Sequence, residues 1–295
     1  MLRICLLALF LAGVATRPVS SAISVVDDTG HTVTLPQSPQ KIVSIAPGAT
    51  EMLFAAGAGR FVIATVEYSE EPAEARRVRR IGDSNAIDME RVVALRPDVV
   101  VIWEGGSNVG QVAQLEKLRI PLYRHRVERL ADFPASLRRL GALAGTKAAA
   151  EKAAADVEAR LAGLAKTYGA GKKLSVLLQV WNRPIYTVGG THMMTDALRL
   201  CGARNIFDDL EQKGPAVDLE AVIARNPQMI IAVAPTGVSR EWLDDWKRFP
   251  NLQAVRNDAL VPFEDPRLSR LGPSALGGTE ALCQSIDAVR RKVAN

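Results

Sequence analysis

The chain has 295 residues, 48% hydrophobic, 23% charged and only 5% aromatic, with a formal net charge of +5. Setting aside Arg3 and Arg17 of the first 22 residues leaves 35 basic against 32 acidic side chains, a balance of +3. With no basic stripe carrying interleaved aromatics, that balance excludes a nucleic-acid partner, and three histidines, His31, His125 and His192, exclude a bare zinc or manganese site.

At the N-terminus, Arg3 precedes the apolar run from Ile4 to Ala15, and Ser20, Ser21 and Ala22 follow as small residues suited to cleavage. Residues 1–22 are therefore expected to be a removable export signal that delivers the protein to the periplasm. The run is shorter than the roughly 20 residues a spanning helix needs. Cys5 stands at its start, whereas a lipidated cysteine would follow it. No later stretch is apolar for long enough to cross a bilayer, so the mature protein is expected to be soluble. The remaining 273 residues (295 − 22) exceed what one compact core usually holds, which predicts two lobes.

The first lobe is expected over 23–131. SVVDDTGHTVTL reads as a β-hairpin turning at Asp-Asp-Thr-Gly, with His31 beside the turn. KIVSIAP, FVIATV, DVVVIW and IPLYRH then alternate with helical stretches, the pattern of parallel strands covered by helices. Residues 132–171 carry no strand pattern. Thr146 suits a helix N-cap, Val157, Leu161 and Leu164 fall at helical spacing, and Gly169 and Gly171 end the run, predicting a stiff helix of roughly 22 residues, about 33 Å long. The second lobe, 172–295, repeats the plan with LSVLLQVW, PIYTVGG, MIIAVAP and ALVPF.

An internal repeat supports two related lobes. Ile87–Ile102 matches Val217–Ala232 in the pattern D-x-E-x-V-(V/I)-A-x-x-P followed by an apolar run, and Thr50–Ala58 echoes Thr195–Ala203. Each longer copy reads as a helix capped by Asp88 or Asp218, closed by Pro97 or Pro227, and followed by a buried strand. The expected fold is α/β, two Rossmann-like lobes joined by one long helix. Such a joint restricts opening, because bending a helix breaks its hydrogen-bond ladder.

Enzyme motifs are absent. There is no G-x-S-x-G, no phosphate-cradling loop, no H-E-x-x-H and no cysteine pair at zinc spacing. The Ser in GDSNAID has no activating base beside it, and His192 in GGTHMMTD reads as a solvated loop residue. In parallel α/β lobes, ligands bind beyond the carboxyl ends of the strands. The loops expected there supply Pro47, Tyr68, Trp103 and Trp181, flat apolar surfaces suited to a large ligand with a broad face. Glu90 and Glu220 hold the same place in the two repeats, where an acid either complements the helix dipole or docks on an arginine of a partner. Cys201 and Cys283 remain after export, as a disulfide or as two buried thiols.

IVSIAPGATEMLFAAGAG, the Tyr68-Ser69 loop, MERVVALRPDVVVIWEGG, GQVAQLEKLRIPL, the long helix, LRLCGARNIF and LEAVIARNPQMII, in that order, resemble the periplasmic binding proteins that serve ABC importers of ferric siderophores, haem and cobalamin, above all the cobalamin-binding branch. The resemblance covers nearly the whole mature chain. It implies a helical-backbone (class III) binding protein, monomeric and non-enzymatic, that delivers its solute to a permease and ATPase complex of the inner membrane. It further implies that Glu90 and Glu220 dock on the transporter, that Tyr68, Trp103 and Trp181 line the corrin pocket, and that Cys201 and Cys283 are bridged. No cofactor is implied beyond the carried solute, cobalamin or, as the alternative, haem with Tyr68 or His192 as axial ligand. A ferric siderophore would want cleft arginines, for which Arg183 and Arg270 are available; a chelatase-like enzyme on a related fold is the remote alternative. The chain also departs from the pattern. Ser84 and Gly214 stand where relatives present pocket tryptophans, and Ser274 where an arginine often follows Gly-Pro, leaving Asp265 and Arg270 as the polar contacts near the end.

Overall fold

The structure, a computed structural model, describes residues 22–294; of the expected export signal, all but Ala22 lies outside the described residues. Strands β1 (Ile23–Val26) and β2 (Thr32–Leu35) form the anticipated antiparallel hairpin. There follow β3 (Ile42–Ser44), α1 (Pro47–Ala55), β4 (Val62–Thr65), β5 (Arg79–Arg80), the small ladder of β6 (Gly82–Asp83) with β7 (Ala86–Ile87), α2 (Met89–Leu95), β8 (Val99–Trp103), α3 (Val109–Lys117) and β9 (Leu122–His125). β5-β4-β3-β8-β9 make one parallel sheet. The β-branched residues of its central strands are buried on both faces, as covering helices require.

The hairpin is tied to this sheet by Asp28, whose side chain is buried. Its carboxylate pairs with His125 Nδ1 at 2.8 Å and accepts from Ser136 Oγ at 2.7 Å, Tyr123 Oη at 3.1 Å and the Arg126 N–H at 3.1 Å. Burial alone would raise its pKa, but the hydrogen bond and charge of His125, with the donors from Ser136 and Arg126, hold it below the ordinary value.

Helices α4 (Phe133–Ala144) and α5 (Lys147–Tyr168) fill the segment between the lobes, and α5 has 22 residues as expected. Thr146 precedes α5 but does not cap it, contrary to expectation: its hydroxyl donates to Ala56 O at 2.6 Å, so the side chain fastens α5 to the end of α1. Arg138 on α4 grips two acids of α5, Glu151 and Glu158, at 2.8 and 2.7 Å. Farther along, Arg160 approaches Glu280 of the second lobe at 3.8 Å.

That lobe comprises β10 (Leu174–Gln179), β11 (Ile185–Tyr186), α6 (Met193–Leu200), β12 (Ala203–Asn205), β13 (Ala216–Val217), α7 (Leu219–Arg225), β14 (Met229–Val233), α8 (Val238–Asp244), α9 (Gln253–Arg256), β15 (Leu260–Phe263) and α10 (Ala275–Ala294). Its parallel sheet is β12-β10-β14-β15. PIYTVGG is not a strand of that sheet. A parallel neighbour needs a crossover of a dozen or more residues, whereas the chain turns straight back from Trp181 to bridge Tyr186, and β11 pairs antiparallel with β13. A second correction concerns the repeated caps: the Asp88 carboxylate accepts the Arg91 N–H at 2.9 Å, but Asp218 makes no such bond. Both helices end in a left-handed residue, Arg96 or Asn226, ahead of the proline. Cys201 and Cys283 form a disulfide between the end of α6 and α10.

The lobes are not insulated from each other. One apolar cluster runs from Leu35 and Leu53 through Phe133, Leu140, Ala150 and Val157 to Leu198 and Ile286, fusing both lobes to α5. The opposite sheet faces keep separate cores, around Val100 and Ile102 in the first lobe and Ile230 and Trp246 in the second.

Candidate functional site

The carboxyl ends of β3, β4 and β8 deliver three residues to one cavity of about 330 Å³ between the lobes, lined by Pro47, Tyr68 and Trp103 from one side and Pro266 to Leu271, including Arg270, from the other. Pro47 opens α1, where its missing N–H costs nothing. Tyr68 is 72% exposed and sits in the left-handed region at φ 63°. The conformation is held by its neighbour: Ser69 is buried, its hydroxyl bonded to Thr65 at 2.9 Å and its carbonyl to Arg80 at 2.8 Å. The backbone N–H of Trp103 donates to Ser107 Oγ at 3.0 Å, and a side chain at Gly106 would strike the indole ring. Glycine is therefore required there to let the indole lie flat.

The back of the cavity is a close seam between lobes. A Cβ on Gly48 would come 2.7 Å from Leu271 O, and one on Gly272 would collide with the Glu51 carboxylate. Glu51, on α1, is buried and accepts from both the N–H and the hydroxyl of Ser274, the residue just before α10; the hydroxyl bond is 2.9 Å. Burial pushes its pKa up, and the Ser274 donors and the Arg270 charge only partly oppose that. Arg270 has no hydrogen bond or ion pair to another side chain among the described residues, so its guanidinium is free to meet a ligand. The sequence reading missed Glu51 although it lies in the quoted SIAPGATE stretch, because nothing local marks it as buried.

Two further cavities continue the trough. One, of about 200 Å³, is lined by Trp103, Leu271, His192, Met193 and Met194, with Glu128 and Lys213 joined across it at 2.8 Å; that contact holds Glu128 below the usual carboxylate range. The other, of about 490 Å³, is lined by Val180, Met194, Phe263 and Asp265. Asp265 is already engaged by Arg267 at 2.6 Å. Trp181 is 58% exposed, its ring edge-on to Trp242 at 5.9 Å, and lines none of these three cavities.

His192 is not a solvated loop residue. Its Nδ1 caps α6 by accepting the Met194 N–H at 3.1 Å, and burial, with the Lys213 charge, lowers its pKa to about 4. A neutral ring with Nδ1 occupied as acceptor carries its proton on Nε2 and has no lone pair left for a metal. Arg183 is bound to Asp245 at 3.0 Å beside Pro184 and Trp246, outside the three trough cavities. Glu90 and Glu220 occupy the second positions of α2 and α7 and are exposed. Ser84 lies between β6 and β7, and Gly214 ahead of β13 faces open space, with nothing within 4 Å of a Cβ. Among the described residues no group of three or more His, Cys, Asp or Glu could hold a metal ion, and no helix is long and apolar enough to cross a membrane.

Two parallel α/β lobes packed on one long helix, with an aromatic trough at the strand ends, are the architecture of a solute-binding protein. The family model described as periplasmic binding protein matches residues 42–262, and the chain belongs to that family. It is 32% identical to the vitamin B12-binding protein of Pectobacterium carotovorum over 254 residues, 85% of this chain and 90% of that one. The crystal structure of the periplasmic vitamin B12-binding protein of Vibrio cholerae is similar at a TM-score of 0.77 and 28% identity, covering 86% of this chain and 98% of that one. The periplasmic haem-binding protein of the same organism shares the fold at a TM-score of 0.71 and 18% identity, over 84% and 98% of the two chains.

Proposed function

We propose that this chain is a non-catalytic, monomeric periplasmic carrier, processed after Ala22, that holds cobalamin in the interlobe trough and passes it to an ABC importer's permease and ATPase complex. On this reading 23–131 and 172–295 are the two walls, 132–171 is the strut, and Glu90 and Glu220 present one acid per lobe to the transporter. The observation that carries it is the convergence of Pro47, Tyr68, Trp103 and Arg270 on one cavity, broad apolar surface beside a single free cation. The three trough cavities carry no surplus of positive charge: Arg270, Arg126 and Lys213 stand against Glu51, Glu104, Glu128, Glu264 and Asp265. A macrocycle rimmed with neutral amides suits such a wall, whereas carboxylate-rich haem or an anionic siderophore would call for surplus positive charge. The cobalt brings its own axial ligands, so no protein group need bind it.

Haem is the second reading, and the exposed phenol of Tyr68 at the trough favours it as axial ligand. Calorimetry of the purified protein against cyanocobalamin, haem and a ferric siderophore decides between them. Tight binding of cyanocobalamin alone is expected. A haem Soret shift that disappears in Tyr68→Phe, with no cobalamin binding, overturns the cobalamin assignment.

A further inference from the structure

The helices bearing Glu90 and Glu220 share a feature the acids do not require. In α2, Val92 is buried, whereas Val93 is 43% exposed and Ala94 follows it into solvent; in α7, Val222 is buried, Ile223 is 40% exposed and Ala224 follows. Residues i, i+3 and i+4 share one helical face, so each lobe shows the same outward trio of acid, branched aliphatic and alanine, 130 positions apart. Neither Val93 nor Ile223 is a buried member of the apolar clusters, although Ile223 borders a surface cavity with Phe249 and Leu252 of the second-lobe core. Shared ancestry of the repeats does not account for the likeness by itself, because other paired positions have diverged: Arg91 faces Ala221, Leu95 faces Arg225, and only Asp88 caps its helix.

The acids are unsatisfied as well. Arg91 is taken up by Asp88 at 3.4 Å and Arg225 by Asp209 at 2.6 Å, while Glu90 and Glu220 have no ion pair or hydrogen bond from another side chain among the described residues. Each helix packs its buried valine on the strand it leads into, Val92 with Val100 and Val222 with Ile230. In such a crossover the helix runs against the strand, so its first turn lies at the strand's carboxyl end, the side of the trough. Both trios therefore flank the trough mouth.

We infer that Val93 with Ala94 and Ile223 with Ala224 are the apolar halves of a duplicated docking seat, one per lobe, for the two membrane subunits of the importer. The inference rests on the proposed docking role of Glu90 and Glu220. Each subunit must offer a basic side chain beside an apolar recess. The division of labour follows from physics: exposed charge pairs steer the encounter and fade with salt, whereas removal of aliphatic surface from water is not screened and holds the docked state.

The test places a photo-crosslinking benzoylphenylalanine at Glu90, Val93, Ile223 or Leu118 of the full chain expressed in cells of its own source. Leu118 is comparably exposed, at 47%, but ends α3 on the far edge of the sheet. Adducts to a polytopic importer subunit are expected from Glu90, Val93 and Ile223 and not from Leu118. In parallel, Val93→Asp with Ile223→Asp should weaken docking to membrane vesicles from those cells by about tenfold or more, with solute affinity and melting temperature unchanged. An adduct from Glu90 but none from Val93 or Ile223, or an equal adduct from Leu118, overturns the apolar seat. No adduct from any of the four positions removes the docking role of the acids itself.

Discussion

The two walls of the trough share a topology but not a surface. The first lobe sends Pro47, Tyr68 and Trp103 from three strand ends into one cavity, each braced from behind by Ser69, Ser107 or the turn into α1. The second sends one loop, Pro266 to Leu271, while its own strand-end aromatic, Trp181, leans on Trp242 away from that cavity. The four strands that the two sheets have in common run in the same order, so strand order does not fix where binding surface accumulates; the loops do, and the first lobe holds most of the grip. The fasteners differ in the same way. The first lobe is closed by the buried polar hub at Asp28, the second by a covalent bridge between Cys201 and Cys283.

The largest effect should come from breaking the second fastener. The cysteines are 82 residues apart, and opening a loop of that size costs roughly 4 kcal/mol of stability. Cys201→Ala with Cys283→Ala should lower the denaturant midpoint accordingly, and reductant should do the same to the unaltered protein. A midpoint that does not move would show that the second lobe does not depend on its bridge. Next in size is the grip itself. Trp103→Ala removes a braced indole from the cavity and should weaken solute binding by about 2–3 kcal/mol, some 30- to 150-fold, whereas Trp181→Ala should change it only a few-fold. Calorimetry giving equal losses would erase the asymmetry between the walls.

A smaller effect is expected where the walls meet. The folded-state pKa of Glu51 is raised by burial, so its ionised form penalises the folded state at neutral pH. The penalty is relieved as pH falls through the raised folded value and is gone below the ordinary one. Glu51→Gln keeps an acceptor for the Ser274 N–H and should stabilise the protein by about 1 kcal/mol at neutral pH, with the gain vanishing in acid. Ser274→Arg, the residue the resemblance leads one to expect after Gly-Pro, should instead lower the Glu51 pKa and flatten the same pH profile. Melting temperatures across the acid range check both, and a profile indifferent to Glu51→Gln would mean that the carboxylate is not held in the seam as described.

Periodicity located β3, β4, β8, β9, β10, β14 and β15, the hairpin and the 22-residue helix, because burial on both faces leaves unbroken β-branched runs and a long helix leaves none; it missed the edge strands β5 and β12, which are short and carry no apolar run. It failed at PIYTVGG, where an apolar run with β-forming residues folds back on Trp181: strand propensity carries no information about the partner. It also failed at Thr146 and Asp218, whose side chains suit caps but are used elsewhere or left free. At the site, Pro47, Tyr68 and Trp103 could be placed on the cavity because a strand end points to the cleft, whereas Arg270 came only from the resemblance. Glu51 and Gly48 were not, since their roles exist only when residues more than 200 positions away come into contact. His192 looked like a solvated loop because neither its capping of α6 nor its burial beside Lys213 is marked in the local sequence.

The mildest intervention adds surface instead of removing it. The resemblance leads one to expect an aromatic where Gly214 stands, and a Cβ placed there meets nothing within 4 Å. Its backbone is not in the left-handed region, so a side chain brings no strain of that kind. Beside it, Lys213 reaches across the trough to Glu128, which puts any ring at 214 near the mouth. Gly214→Trp should therefore fold normally and tighten binding of cyanocobalamin three- to tenfold, an added gain of about 1 kcal/mol for a partly buried indole. The gain should persist when combined with Trp181→Ala and shrink when combined with Trp103→Ala, because a ligand that has lost its main platform sits less firmly against the new one. If Gly214→Trp leaves affinity unchanged in both backgrounds, the second wall does not reach the ligand there, and the first lobe grips it with only the loop from Pro266 to Leu271 opposite.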